Sequence, residues 1–200
     1  MLLLFCIVAS GTVTNFFPTV VATLKFNSVV SLLLTAPPYV LAVITTYLNA
    51  THADRTGERY LHIVIPLSVS VVAYIIAATT SSIGPRYFAM MLMPGSVYTG
   101  YVVALAWISN TIPRPPAKRA AALAFINAVS NCSSIYASYL YPSNWGPQYT
   151  QAFAVNCVTS VIAILTATAL RFLLVGLNKK LAQGIHVEGA INANGFRFKV

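Results

Sequence analysis

The chain has 200 residues, of which 58% are hydrophobic and only 8% charged, and its mean hydropathy is +0.75. A soluble domain ordinarily carries about 25% charged residues, so this composition excludes a water-covered globule and reads as an integral, all-α membrane protein. The net charge of +9 does not point to nucleic acid: a phosphate-binding face gathers its Lys and Arg in one place, whereas here they fall between apolar runs, as membrane topology distributes them.

Six segments reach the length of about 20 helical residues that crosses a bilayer core. The first spans about 2–24 and holds Thr12, Thr14, Asn15 and Pro18 in its interior. The apolar start could pass for a signal peptide ending at Val8-Ala9-Ser10, but it has no basic leader and the apolar run continues. The second, about 29–49, contains Pro37-Pro38-Tyr39. Two prolines cannot donate to the helix ladder, so a kink or break is expected there.

The third segment covers about 61–81 and ends at Ser81-Ser82-Ile83-Gly84-Pro85. The fourth, about 87–110, carries Ser96, Gly100 and Ala104 at a spacing of four, a small-residue groove for a neighbouring helix backbone. Pro113 to Pro116 stop it. The fifth runs over about 117–141, with Tyr139, Tyr141 and Trp145 placed for an interfacial aromatic belt. The sixth is expected from Pro147 to about Leu174, and 178–200 reads as a flexible tail with Gly184, Gly189 and Gly195.

Two of the three acidic residues lie in Asp54-Arg55-Thr56-Gly57-Glu58-Arg59, a compact ionic loop between the second and third spans. Loop by loop, ten of the twelve basic residues fall on the side of this loop: Arg55, Arg59, Arg114, Lys118, Arg119, Arg171, Lys179, Lys180, Arg197 and Lys199. Only Lys25 and Arg86 fall on the other. By the positive-inside rule the loop and both termini are cytoplasmic. The sequons at Asn49 and Asn131 then become chance matches, one on the cytoplasmic side and one inside a helix. Cys6, Cys132 and Cys157 sit in apolar runs without paired spacing or adjacent histidines, so no disulfide framework or metal site is expected.

Asp54-Arg55-x-Gly57-x-Arg59 resembles the core of the loop motif of the major facilitator superfamily. Ala50 stands where that motif usually has glycine, and Glu58 where it often has arginine. The string Lys118-Arg119-Ala120-Ala121-Ala122, with Asn127, Asn131, Tyr139-Leu140-Tyr141-Pro142 and Pro147-x-Tyr149, is similar to the eleventh helix of fungal anion:cation symporters of the allantoate and nicotinate permease type. Ala36-Pro37-Pro38-Tyr39 looks like their eighth. The resemblance covers about residues 1–178. It implies the second six-helix bundle of such a permease, in the plasma membrane, with a small organic anion as substrate and a missing first half as partner. A truncated gene product, a partial gene model, or a half that dimerises with a second copy would each account for that.

No enzyme is expected, since the carboxylates Asp54, Glu58 and Glu188 share no site with a nucleophile and histidine, and no cofactor is implied. Transport needs polar groups facing a pathway at membrane depth. Asn127, Asn131, Ser134 and Ser138 keep one helical face. They suit either a pathway lining or interhelical hydrogen-bond glue. In the superfamily the helices equivalent to the first and fourth segments line the central cavity, so the resemblance adds Thr14, Asn15, Tyr98 and Tyr101. It also suggests a cytoplasmic gate of Asp54, Arg55, Gly57 and Arg59 with Lys118 and Arg119 at the start of the fifth helix, against the plain reading of solvated loop charge. The expected function is transport of a small organic anion or vitamin-like solute by alternating access. The alternatives are a non-transporting bundle that needs its partner half, and an efflux permease.

Overall fold

The computed structural model describes residues 1–22, 27–112, 115–137, 139–142, 146, 148–183 and 197–199. Lys25, Pro113, Arg114, Ser138, Trp145, Pro147 and the three tail glycines, all used in the sequence reading, lie outside them. The described residues form helices α1 (Leu2–Ser10), α2 (Phe17–Ala22), α3 (Ser28–Leu33), α4 (Ala36–Thr56), α5 (Tyr60–Thr79), α6 (Ile83–Thr111), α7 (Pro116–Asn131), α8 (Ser133–Ala137) and α9 (Thr150–Ala182), with a 3₁₀ stretch over Gly11–Phe16. Together they make six stretches long and apolar enough to cross a bilayer: Leu2–Val21, Val29–Thr56, Tyr60–Thr79, Ile83–Thr111, Pro116–Ala137 and Thr150–Ala182. The protein is an all-α, multi-pass membrane bundle.

Proline explains where the spans depart from straight helices. A proline at position i has no N–H for the carbonyl of residue i−4, and in lipid that carbonyl needs another donor. Pro18 orphans Thr14, whose carbonyl accepts a bond from the Tyr39 hydroxyl at 3.0 Å. Pro38 orphans Leu34, whose carbonyl accepts from the Tyr87 hydroxyl at 3.0 Å. Pro66 orphans His62, whose carbonyl accepts from Asn49 Nδ2, again at 3.0 Å. The break expected at Pro37-Pro38 is present: α3 ends at Leu33, and both prolines sit in the first turn of α4. Asn49, a sequon in the sequence, has its amide committed to this bond.

Several boundaries differ from expectation. α6 starts at Ile83 rather than Tyr87, because Pro85 suits a first helical turn and does not block one. The fifth span pauses at Cys132 and its last helix ends at Ala137, not Tyr141. α9 begins at Thr150 behind Tyr149, which adopts a left-handed backbone (φ 50°). It also continues past Leu174 to Ala182, since Lys179 and Lys180 in its last turn complement the helix dipole. Residues from Asn178 onward were expected to be loose, yet α9 carries the first of them and Arg197–Lys199 is packed on the bundle.

α5 packs against α6 and α9, α4 against α6, and α1 against α9, α7 and α6. The buried apolar residues fall into two clusters. One, toward the ionic loop, includes Leu4, Ala53, Ile63, Leu67, Trp107 and Leu174. The other, toward the opposite surface, includes Phe17, Val20, Tyr74, Ala77, Met90 and Phe153. Small residues allow the closest crossings. A Cβ on Gly95 would lie 3.0 Å from Thr45 Oγ1 and 3.5 Å from the Ala42 Cα, so α4 and α6 meet nearly backbone to backbone. Gly100, from the expected groove, receives the Leu67 side chain of α5. α4 keeps a broad apolar face uncovered, with Val40, Val43, Ile44, Tyr47 and Leu48 exposed; Phe125 is exposed on α7, and α5 and α9 expose others such as Ile65, Val72, Val158, Leu165 and Phe172.

Candidate solute cavity and ionic loop

Between the first, fourth and fifth spans lies a cavity of about 240 Å³ lined by Val8, Gly11, Thr12, Thr14, Asn15, Val97, Tyr98, Tyr101, Asn131 and Ser134. Six of the seven residues named from the sequence as pathway candidates are in this lining: Thr14, Asn15, Tyr98, Tyr101, Asn131 and Ser134. The seventh, Asn127, stands directly behind it. Its Oδ1 accepts from the Tyr101 hydroxyl at 2.8 Å and from Asn131 Nδ2 at 3.0 Å. Asn131 Nδ2 also donates to the Asn127 carbonyl at 2.8 Å.

These bonds set what the cavity offers. The hydroxyl proton of Tyr101 and the amide nitrogen of Asn131 are committed to Asn127, so both residues turn acceptor oxygens to further partners. Asn15, exposed on the 3₁₀ stretch, supplies an amide with both donors and an acceptor. Thr14 donates to the Gly11 carbonyl at 2.8 Å, a bond within the same tight turn. Apart from tyrosine the lining has no ionisable side chain. Its chemistry is neutral hydrogen bonding beside two aromatic rings.

A second polar group, deeper in the bundle, escaped the sequence reading. Asn156 of α9 is fully buried. Its Nδ2 donates to the Tyr141 hydroxyl at 2.9 Å, and its Oδ1 accepts from Thr12 Oγ1 at 3.1 Å. Ser160 donates to the Asn156 carbonyl at 2.9 Å and accepts from Ser70 at 3.3 Å. Nearby, the buried Tyr74 hydroxyl donates to the Ser10 carbonyl at 2.5 Å. Thr12 therefore belongs both to the cavity wall and to this network, which ties the first span to α9. In the sequence Asn156 has Thr159 and Ser160 three and four residues on, a short polar face within the sixth span that was the available signal.

At the ionic loop, α4 extends through Asp54 and Arg55 to Thr56, and Gly57 ends it in the left-handed conformation (φ 73°), its N–H donating to the Ala53 carbonyl at 3.0 Å. Only glycine takes that conformation without strain. Asp54 pairs with Arg59 at 2.5 Å; the arginine side chain is 6% exposed and the carboxylate 67%. The sequence reading expected Asp54 to approach the start of α7. In the structure its ion pair lies within its own loop, and Lys118 and Arg119 enter no ion pair among the described residues. Arg55 is exposed. The loop is fastened to its neighbours by the contact of His52 Nδ1 with His62 Nε2 at 2.7 Å, by Tyr60 with Thr168, and by Arg171 lying 4.5 Å above the Tyr60 ring. No group of three or more metal-ligating side chains occurs among the described residues.

No family model and no solved structure matches the chain. Curated relatives do. The MFS-type transporter efuF of Hormonema carpetanum is 29% identical over 79% of this chain and 32% of its own length. The major facilitator-type transporter hxnP of Emericella nidulans is 30% identical over 81% of this chain and 33% of its own. The high-affinity nicotinic acid transporter of Saccharomyces cerevisiae is 23% identical over 80% of this chain and 30% of its own. The chain spans about a third of the length of the curated relatives it matches. They are transporters rather than enzymes, and the chain is a relative of fungal transporters of the major facilitator type.

Proposed function

We propose that the chain is the second six-helix half of a secondary transporter, forming one wall of a pathway for a small organic anion or vitamin-like solute. The observation that carries this reading is the convergence of Thr14, Asn15, Tyr98, Tyr101, Asn131 and Ser134, from three sequence-distant spans, on one cavity of about 240 Å³. Pockets for drug-sized ligands run to about 300–1,000 Å³, so this wall suits a smaller solute. A flat ring would stack on Tyr98 or Tyr101, and a carboxylate would take its bonds from Asn15 and from donors of the other half. The nicotinic acid transporter among the relatives supports that class. The uncovered faces of α4 and α7 fit the second six-helix unit, whether an N-terminal half or another copy.

In this reading the ionic loop and both termini are cytoplasmic, and the protein works at the plasma membrane as a symporter. The Asp54–Arg59 pair holds one state of the cytoplasmic gate, and exchange of Asp54 to the basic start of α7 accompanies the other. The test is uptake of labelled nicotinate and allantoate by yeast cells co-expressing this chain with the first half of a relative. Asn131→Ala and Tyr101→Phe should lower uptake at least several-fold at unchanged surface expression. Uptake equal to wild type in both variants would remove the cavity from the pathway. Failure of Asp54→Asn to alter either transport or the labelling of cytoplasmic-side cysteines would remove the gate.

A further inference from the structure

The last turns of α9 and the segment Arg197–Lys199 form one unit. The Asn178 side chain grips the Phe198 backbone twice, donating from Nδ2 to its carbonyl and accepting at Oδ1 from its N–H, both at 2.9 Å. The next carbonyl, that of Lys199, accepts from Trp107 Nε1 of α6 at 2.9 Å. Phe198 is 6% exposed and belongs to the apolar cluster with Trp107, Ile108 and Leu174, against which Leu177 and Leu181 also pack. The residues flanking Phe198 are treated differently: Arg197 and Lys199 are exposed, as are Lys179 and Lys180 next to Asn178.

Two pairs of cations from distant parts of the sequence are thus held around one buried anchor. Their height is set by α9. Arg171, over the Tyr60 ring, marks the level of the ionic loop, and Lys179 lies eight residues further on, about 12 Å at 1.5 Å per residue. That puts the backbone of the four cations about 5 Å beyond the headgroup layer, since the polar layers add about 5–7 Å on each side of the hydrocarbon core, within the reach of long Lys and Arg side chains. Clusters of four or more Lys and Arg at this level attract anionic headgroups. The geometry points to a built binding site for the phosphate of an anionic phospholipid, formed by Lys179, Lys180, Arg197 and Lys199 and assembled by the Asn178–Phe198 bonds. Bound lipid would fasten the end of α9 to α6 in the leaflet that bears the ionic loop, whatever solute is carried.

The experiment is native mass spectrometry of the full chain released from nanodiscs of phosphatidylcholine with or without phosphatidylserine, combined with thermal unfolding in each. Wild type should retain phosphatidylserine selectively and unfold at a higher temperature in its presence. Each lysine neutralised should weaken retention about fivefold. Asn178→Ala keeps all four charges but releases Arg197 and Lys199, and should weaken it about tenfold or more. The double variant Arg197→Gln, Lys199→Gln changes only exposed side chains and should weaken it as much as Lys179→Gln, Lys180→Gln does. Unchanged retention in that double variant, or in Asn178→Ala, would reduce the cluster to general surface charge and overturn the site. Equal protection by soluble inorganic phosphate in neutral nanodiscs would overturn the lipid as its source.

Discussion

At the scale of single residues, the polar side chains buried in this bundle are valuable in proportion to how many partners they would abandon. Asn156 bonds Thr12 and Tyr141 with nothing exposed. Asn156→Ala takes the amide away from two buried hydroxyls and leaves them only each other, and should cost about 1–3 kcal/mol, read as a lowered midpoint of thermal unfolding in detergent. Tyr87→Phe removes one donor from the Leu34 carbonyl and should cost less, about 0.6–1 kcal/mol, the usual size of an interhelical bond in a membrane. If the two variants lose equal stability, the network around Asn156 is not cooperative. Residue types that recur with a helical period were legible in the sequence, as Asn127, Asn131 and Ser134 were. Asn156, with Ser160 one turn on, carried the same kind of signal more faintly, and Tyr74 carried little, because an aromatic hydroxyl in an apolar run looks the same whether it faces a partner or a gap.

At the scale of elements, the spans were legible because each is a long run of apolar residues bounded by charge, glycine or proline. Their ends were less so. Pro85 and the pair Lys179, Lys180 look like stops in a hydropathy profile, yet proline in a first turn and cations in a last turn both extend a helix. Pro66 inside α5 leaves no mark of its own in the hydropathy pattern, because its effect depends on Asn49 of another helix. Contact between elements also rests on small residues. Gly95 admits α4 so closely that a leucine there must displace it, since even a Cβ would sit 3.0 Å from Thr45 Oγ1. Gly95→Leu should cost about 1–3 kcal/mol, the usual range for overpacking, and weaken disulfide crosslinking between cysteines introduced at Thr46 and Thr99, whose hydroxyls now lie 3.1 Å apart. Crosslinking and stability equal to wild type would show that the crossing tolerates a wider gap.

At the scale of the whole molecule, composition alone settled the solvent. One wall of the cavity, Asn131 and Ser134, was legible from helical spacing; Thr14, Asn15, Tyr98 and Tyr101 were legible only through resemblance, because they are brought together by a fold that no local pattern announces. The exposed apolar residues of α4, α5, α7 and α9 leave this bundle with faces that a soluble protein would not tolerate. Co-expression with a first half should therefore raise the yield and the unfolding temperature of the chain in mild detergent. No change in either, with both chains present at the membrane, would mean that lipid alone satisfies those faces.

The three proline bonds share a member. α4 lends Tyr39 to the Thr14 carbonyl and Asn49 to the His62 carbonyl, and its own orphaned neighbour, the Leu34 carbonyl, is held by Tyr87. A shift of α4 along its axis strains all three together, while a bend confined to one proline strains one. Motion of this helix would then load the three bonds together rather than one at a time. Its signature would be non-additivity: Tyr39→Phe combined with Asn49→Ala should lose less stability than the two losses added, because the second bond has already slackened when the first is cut.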